Sequence, residues 1–199
     1  MRFIWSIQDV QGLWVGDAEF SQPGEWRAAI EVSGGGYSGS IGTSFEVKQE
    51  TSTPAIGTKA PHTDSPTAAD VDDLSEISTD TDPDPRFYKM SIAQALKAGR
   101  PAVIVFATPK FCSSQTCGPT LTIAKDVSKV FDEVTFVHVE PYDLELVPEK
   151  LEPVPSATEW GLPSEPWVFV TDAQGRVAAK YEGSLSPDEL EDVLRSLTD

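Results

Sequence analysis

The run Ala102 to Ala107, AVIVFA, is apolar without a break and stops at Thr108-Pro109. A short continuous apolar run bounded by a breaker reads as a strand buried on both faces. Upstream, Ser91 and Gln94 have the spacing of a capping box, Ile92, Ala95 and Leu96 form an apolar stripe, and Gly99 follows as a left-handed cap. Together they predict a short helix feeding the buried strand. Downstream, Ile123, Val127, Val130 and Phe131 recur at helical spacing, and Pro119 suits the first turn of that helix. Val134 to Val139 reads as the next strand. Glu140 to Pro155 is proline-broken loop, and Ser156 to Trp160 a short helix before Gly161. Trp167 to Thr171 and Arg176 to Tyr181 read as two strands joined by the hairpin loop Asp172-Ala173-Gln174-Gly175. Ser186-Pro187-Asp188-Glu189 is a second capping box, followed by the apolar face Leu190, Val193, Leu194 and Leu197. Helix-joined strands run parallel and hairpin strands antiparallel, so the pattern predicts an α/β fold with a mixed sheet flanked by helices.

Residues 1–48 carry a different pattern. Phe3, Trp5 and Ile7 alternate with Ile4, Ser6 and Gln8, and Trp26, Ala28, Ile30 and Val32 alternate with Arg27 and Glu31. Gly34-Gly35-Gly36 is a turn signal and Ser40 to Val47 the return strand. This β-rich segment reads as part of an immunoglobulin-like sandwich, with Trp5, Trp14 and Trp26 in packing roles. It is about half the roughly 100 residues such a domain needs. The strands are therefore expected either to continue outside this stretch or to dock on the main domain.

Residues 49–85 read as an acidic linker rich in Pro, Ser and Thr, with no Lys or Arg between Lys59 and Arg86. Residues 86–199 then form the main domain. Across the whole chain, 32 acidic against 15 basic residues leave a net charge of −17. That excess argues against nucleic acid or an anionic membrane as partner. No apolar run is long enough to span a bilayer, so no integral membrane segment is expected. The first twenty residues, interrupted by Gln8, Asp9 and Asp17, do not make a signal-peptide core.

The two cysteines, Cys112 and Cys117, lie between the buried strand and the helix that Gly118 and Pro119 open. A helix N-terminus supplies partial positive charge and free N–H groups, which favour thiolate over thiol. The order of elements, with cysteines after the first strand of the main domain, resembles the thioredoxin-like fold over about residues 54–199. Cys117-Gly118-Pro119 looks like the front of the Cys-Gly-Pro-Cys motif of thioredoxins. Glu165-Pro166-Trp167 sits where that family has its cis-proline, and Val168 to Val177 is similar to its final hairpin. Pro54-Ala55-Ile56-Gly57 with Ala60-Pro61 is similar to the leading segment of secreted thioredoxin and peroxiredoxin relatives. The spacing departs from the family's Cys-x-x-Cys. The pair is either Cys112-x4-Cys117, or Cys117-Gly-Pro-Thr120 with Thr120 in place of the second cysteine.

The resemblance implies a thiol–disulfide oxidoreductase with protein thiol or disulfide substrates, no cofactor and no metal. Cys117 would be the nucleophile and Cys112 the resolving cysteine. Pro166, Glu165, Gly118 and Pro119 would shape the substrate groove. The resemblance to secreted relatives implies a compartment outside the cytoplasm. Two alternatives stand beside it. One is a redox-inert binding module whose short disulfide loop is a staple worth roughly 2–3 kcal/mol. The other is a copper carrier, since thiolates suit Cu(I) and His138 is the obvious third ligand. His138, however, alternates with Val134 and Phe136 on one strand face, the pattern of a core histidine.

Overall fold

A central strand buried on both faces organises the main domain. In the computed structural model, which describes residues 1–7, 11–147 and 149–198, the run AVIVF becomes strand β5 (Ala102–Phe106), every residue of it buried. Gln8 and Asp9 of the amino-terminal pattern, Pro148 of the proline-broken loop and Asp199 lie outside the described residues. β5 pairs in parallel with β6 (Thr135–Val139) and antiparallel with β7 (Trp167–Thr171), which pairs antiparallel with β8 (Val177–Glu182). The order β6-β5-β7-β8 is the mixed sheet expected from the connections.

The pleat sends alternate residues of each central strand into two cores. Val103, Val105, Val168 and Val170 face one side, where α2 (Cys117–Val127) and α4 (Pro187–Thr198) supply Leu121, Ala124, Leu190 and Leu194. Ile104, Phe106, Val137 and Phe169 face the other, against α1 (Ile92–Lys97) and Trp160, which closes α3 (Pro155–Glu159). Both capping boxes form. Ser91 Oγ accepts the Gln94 N–H while Gln94 accepts that of Ser91, and Ser186 and Glu189 do the same ahead of α4. Gly99 takes the left-handed φ of 71° that the helix end requires.

The acidic stretch read as a linker behaves differently from that expectation. From Ser52 onward it belongs to the same compact unit as the sheet. Val177 N–H donates to Thr58 O (2.9 Å) and Gly57 N–H to Val177 O (2.7 Å), so residues near 58 line the edge of β8. Ala93 N–H donates to Thr63 O (2.9 Å), Ile92 N–H to Ser65 Oγ (3.0 Å), and the Trp160 indole N–H to Thr63 Oγ1 (3.1 Å). The segment is poor in apolar residues; Ala60, Leu74 and Ile77 pack against the cores, and hydrogen bonds to a prefolded neighbour add to that order.

Further along, Asp80 pairs with Lys125 of α2 (2.8 Å). Asp84 pairs with Arg86, whose guanidinium holds the Asp84 carboxyl below the usual range.

The amino-terminal strands fall in two units. β1 (Arg2–Ile7) and β2 (Gln11–Val15) form a hairpin in the unit of the main sheet, with Ile4 buried and Arg2 paired to Glu189 of α4 (2.7 Å). β3 (Gly24–Gly34) and β4 (Tyr37–Val47) form a separate two-stranded ribbon. Gly35 and Gly36 turn it with φ of 57° and 83°, as a two-residue hairpin loop requires. One face of the ribbon carries Trp26, Ile30, Val32, Ile41 and Phe45, and the other Glu25, Arg27, Glu31 and Glu46.

His138 lies in the core, 2% exposed. Its Nε2 is 2.9 Å from Ala107 O and its Nδ1 2.6 Å from the Tyr88 hydroxyl. The carbonyl can only accept, so Nε2 carries the proton, while the Tyr88 hydroxyl stands between Nδ1 and Ser78 Oγ, 2.8 Å away. The ring is neutral, and burial lowers its pKa to about 4.

Two expectations follow. Thr63→Val, which keeps the shape but strands the Trp160 indole N–H, should cost about 1–3 kcal/mol in urea unfolding; no change would mean that water replaces the bond. Between about pH 6.5 and 4 the unfolded chain takes up a proton at His138 that the folded one refuses. Stability should therefore fall with pH through that window, by at most about 3 kcal/mol. Glu140, whose pKa burial raises, offsets part of the slope, and Asp84 contributes only below the window. A His138→Asn variant should lose the slope; an unchanged slope would assign it to other groups.

Candidate functional site

The carboxyl end of β5 hands the chain to the cysteines. Ala107 N–H donates to Val139 O (3.2 Å) and Ala107 O faces His138, so the strand is held on both sides where it stops. Thr108-Pro109 breaks the ladder. A turn closes with Phe111 N–H donating to Thr108 O (3.2 Å), and a second with Gln115 N–H donating to Cys112 O (3.3 Å). Gln115 takes a left-handed φ of 59°. This extra turn fits four residues between the cysteines and brings Cys112 back to the start of α2.

Cys112 and Cys117 form a disulfide, their Cα atoms 6.0 Å apart. Cys117 is the first residue of α2, so its N–H has no acceptor within the helix. That N–H points at Cys112 Sγ, 3.4 Å away. The Ser114 hydroxyl lies 3.2 Å from the same sulfur and 2.7 Å from the Thr116 hydroxyl. Cys117 has no exposed surface and belongs to the core with Val105 and Leu121, whereas Cys112 is half-buried. Cys112 is therefore the more accessible sulfur of the two. The sulfur expected to attack is enclosed, and the one expected to resolve faces the helix N-terminus near the surface.

The remaining predicted residues flank the pair. Pro119 stands in the first turn of α2, where its missing N–H costs nothing. A Cβ added at Gly118 would meet nothing within 4 Å, so the surface beside the helix start is open. Thr120, which stands where one register of the family motif has its second cysteine, is buried and donates to Gly183 O (3.1 Å). Gly183 N–H in turn donates to Pro166 O (2.9 Å). The Glu165–Pro166 bond is cis, as expected, and Pro166 is buried. Because Phe106 pairs with both Val139 and Trp167, the cysteine loop, the end of β6 and Pro166 all stand at one edge of the sheet. Glu165 accepts from the Tyr142 hydroxyl (2.6 Å), and burial, with this carboxylate alongside, raises the Tyr142 pKa to about 12.

Sequence reasoning did not find Glu140. It follows β6 and is 5% exposed, and its Oε1 accepts from Thr79 N–H (2.6 Å) and the Thr79 hydroxyl (2.7 Å). The same Thr79 hydroxyl oxygen accepts from Lys110 N–H (3.2 Å), which ties the carboxylate to the cysteine loop. An acidic residue one position past an apolar strand was the only local sign, and the chain has many carboxylates. His138 is likewise at this edge, but both ring nitrogens are engaged. Among the described residues no group of three or more His, Cys, Asp or Glu is placed to hold a metal ion. Among them, too, no helix is long and apolar enough to cross a membrane.

No curated protein matches the chain in sequence. Among solved structures, MTB dsbF in its mixed oxidized and reduced forms is similar at 24% identity, over 50% of this chain and 81% of its own, with a TM-score of 0.39. Oxidized mitochondrial thioredoxin 3 from Saccharomyces cerevisiae is similar at 20% identity, over 51% and 83%, with a TM-score of 0.38. A thioredoxin-family thiol:disulfide interchange protein from Chlorobium tepidum TLS is similar at 19%, over 56% and 88%, with a TM-score of 0.43. The family model of the thioredoxin-like domain matches residues 88–198, more than half of the chain. With its mixed sheet and its disulfide at the start of α2, the chain belongs to the thioredoxin-like domain family.

Proposed function

We propose that the protein is a thiol–disulfide oxidoreductase acting on protein substrates, with Cys112 as the exchanging sulfur and Cys117 as the resolving one. The observation that carries this reading is the Cys117 N–H aimed at Cys112 Sγ across the helix start. In the reduced protein a Cys112 thiolate would accept that N–H and lie in the positive field of the helix terminus, both of which lower a thiol pKa. The burial of Cys117 and the partial exposure of Cys112 support the same assignment.

A substrate thiolate attacks Cys112 Sγ, the S–S bond breaks, and Cys117 leaves as a thiolate that takes a proton. A second substrate thiolate then attacks the mixed disulfide and frees Cys112. The substrate dithiol is oxidised by two electrons and the protein disulfide reduced; the reverse sequence reduces a substrate. Pro166 and the open surface by Gly118 and Pro119 would receive the substrate backbone. The resemblance of Pro54-Ala55-Ile56-Gly57 with Ala60-Pro61 to the leading segment of secreted relatives supports a location outside the cytoplasm.

A redox titration of the pure protein tests the reading. A reversible two-electron transition between roughly −120 and −270 mV is expected; a disulfide that resists reduction below about −300 mV would make it a structural staple. The assignment of roles is tested separately. Cys117→Ser should accumulate mixed disulfides at Cys112, and Cys112→Ser should lose exchange by at least about a hundredfold, as loss of an attacking nucleophile does. Mixed disulfides that accumulate on Cys117 in the Cys112→Ser protein would reverse the roles.

A further inference from the structure

The ribbon of β3 and β4 lacks the company that two strands need. A two-stranded ribbon is at best marginally stable in water; a third strand, or packing on its apolar face, is what steadies it. Here β4 also carries Gly39 and Gly42 in its interior, which weaken a strand. Glu25 stands directly opposite Glu46, a like-charge pair that works against the pairing. The apolar face is left as the source of the ribbon's stability.

Four cross-strand rows make up most of that face: Trp26 with Phe45, Ala28 with Thr43, Ile30 with Ile41, and Val32 with Gly39. None of its described residues is charged. Phe20 packs edge-on against Trp26 and Phe45, at centroid distances of 5.2 and 5.4 Å. Phe20, Ile30, Val32, Ile41 and Phe45 nevertheless stay 38% to 63% exposed, and Tyr37 beside the turn 66%. At roughly 150–250 Å² for each such side chain when fully open, the face leaves on the order of 600 Å² of apolar surface in water. That is the top of the range of about 300–600 Å² for the largest patch on a monomer.

The rows also fit their own copy. A two-fold axis at right angles to the strands, between the Ala28/Thr43 and Ile30/Ile41 rows, sets the small row of each copy against the large row of the other. The same axis sets Trp26 and Phe45 against Val32 and Gly39, where the Tyr37 ring folds over the glycine. Self-complementarity of this kind is what an isologous dimer requires. Two such faces together bury about 1,200 Å², the lower bound of specific interfaces. Lipid suits the ribbon poorly. Elements that lie on membranes carry Lys and Arg on the polar face, whereas this one carries Glu25, Glu31 and Glu46 against Arg27 alone.

We propose that the ribbon is the interface of a homodimer, in which two copies pack apolar face to apolar face as a small β-sandwich. The dimer uses no residue of the thioredoxin-like match at 88–198, so it stands or falls apart from the exchange reading.

Analytical ultracentrifugation of the full chain tests it. At about 100 μM, a concentration that populates a micromolar interface, the mass should be that of two copies of 21.6 kDa. Ile41→Lys puts a charge into the central rows and should weaken association at least about thirtyfold, as loss of a hot spot does. Glu31→Lys, on the outer face, should leave the mass at two copies. A wild-type protein of one copy at that concentration, a dimer that survives Ile41→Lys, or one that Glu31→Lys also dissolves would overturn the proposal. So would a single-copy protein that floats with phosphatidylcholine vesicles, which would give the face to lipid. Should Ile41→Lys unfold the ribbon, a mixture of isotope-labelled and unlabelled wild-type chains decides instead. NOEs from the Ile30 and Ile41 methyls of one copy to Ala28 and Thr43 of the other are expected, and copy-to-copy NOEs from other surfaces alone, or none, would overturn the dimer.

Discussion

The double burial of β5 is the constraint on which the rest of the domain depends. A strand covered on both faces must satisfy every backbone group by pairing and every side chain by packing. β6 and β7 supply the pairing, and two helical layers supply the packing. The strand can end only where those partners end. It ends at Ala107, whose N–H goes to Val139 and whose carbonyl goes to His138. The cysteine loop, the end of β6 and the cis-proline turn consequently share one edge, and the edge holds its place because the strand beneath it cannot slide without exposing both cores.

That edge is built largely from polar groups, each of which needs a partner once buried. Tyr88 and Ala107 answer His138, Thr79 answers one oxygen of Glu140, and Gly183 answers Thr120. Much of the wiring runs through residues 52–85, a segment whose composition does not support independent folding. It orders itself by donating and accepting along β8, α1 and the end of β6, and in doing so brings Thr79 between Glu140 and the cysteine loop. The same acidic character that makes the chain so negative overall here acts residue by residue: Asp80 holds Lys125 of α2 and Asp84 holds Arg86.

Chemistry and charge then divide the edge. The helix start of α2 directs a free N–H and partial positive charge at Cys112. The far side, past β6, gathers carboxylates around an apolar-walled cavity. A positive field like that at the helix start stabilises a thiolate.

The amino-acid sequence by itself determined the elements and their order. Capping boxes, turn glycines and the apolar run of β5 act through neighbours a few positions apart, so they are legible without a fold. The adjacency of the cysteines to a helix start and the place of the cis-proline were legible for the same reason, the latter through family resemblance. Tertiary structure alone decided which sulfur is enclosed, because Cys117 is buried in a core that holds Val105 and Val168 from other elements. It also decided that the acidic stretch packs, and that Glu140 meets Thr79, which lies 61 positions away. Such contacts carry no local signature, since a carboxylate in an acidic chain becomes distinctive only when the fold removes it from water and leaves one of its oxygens without a donor.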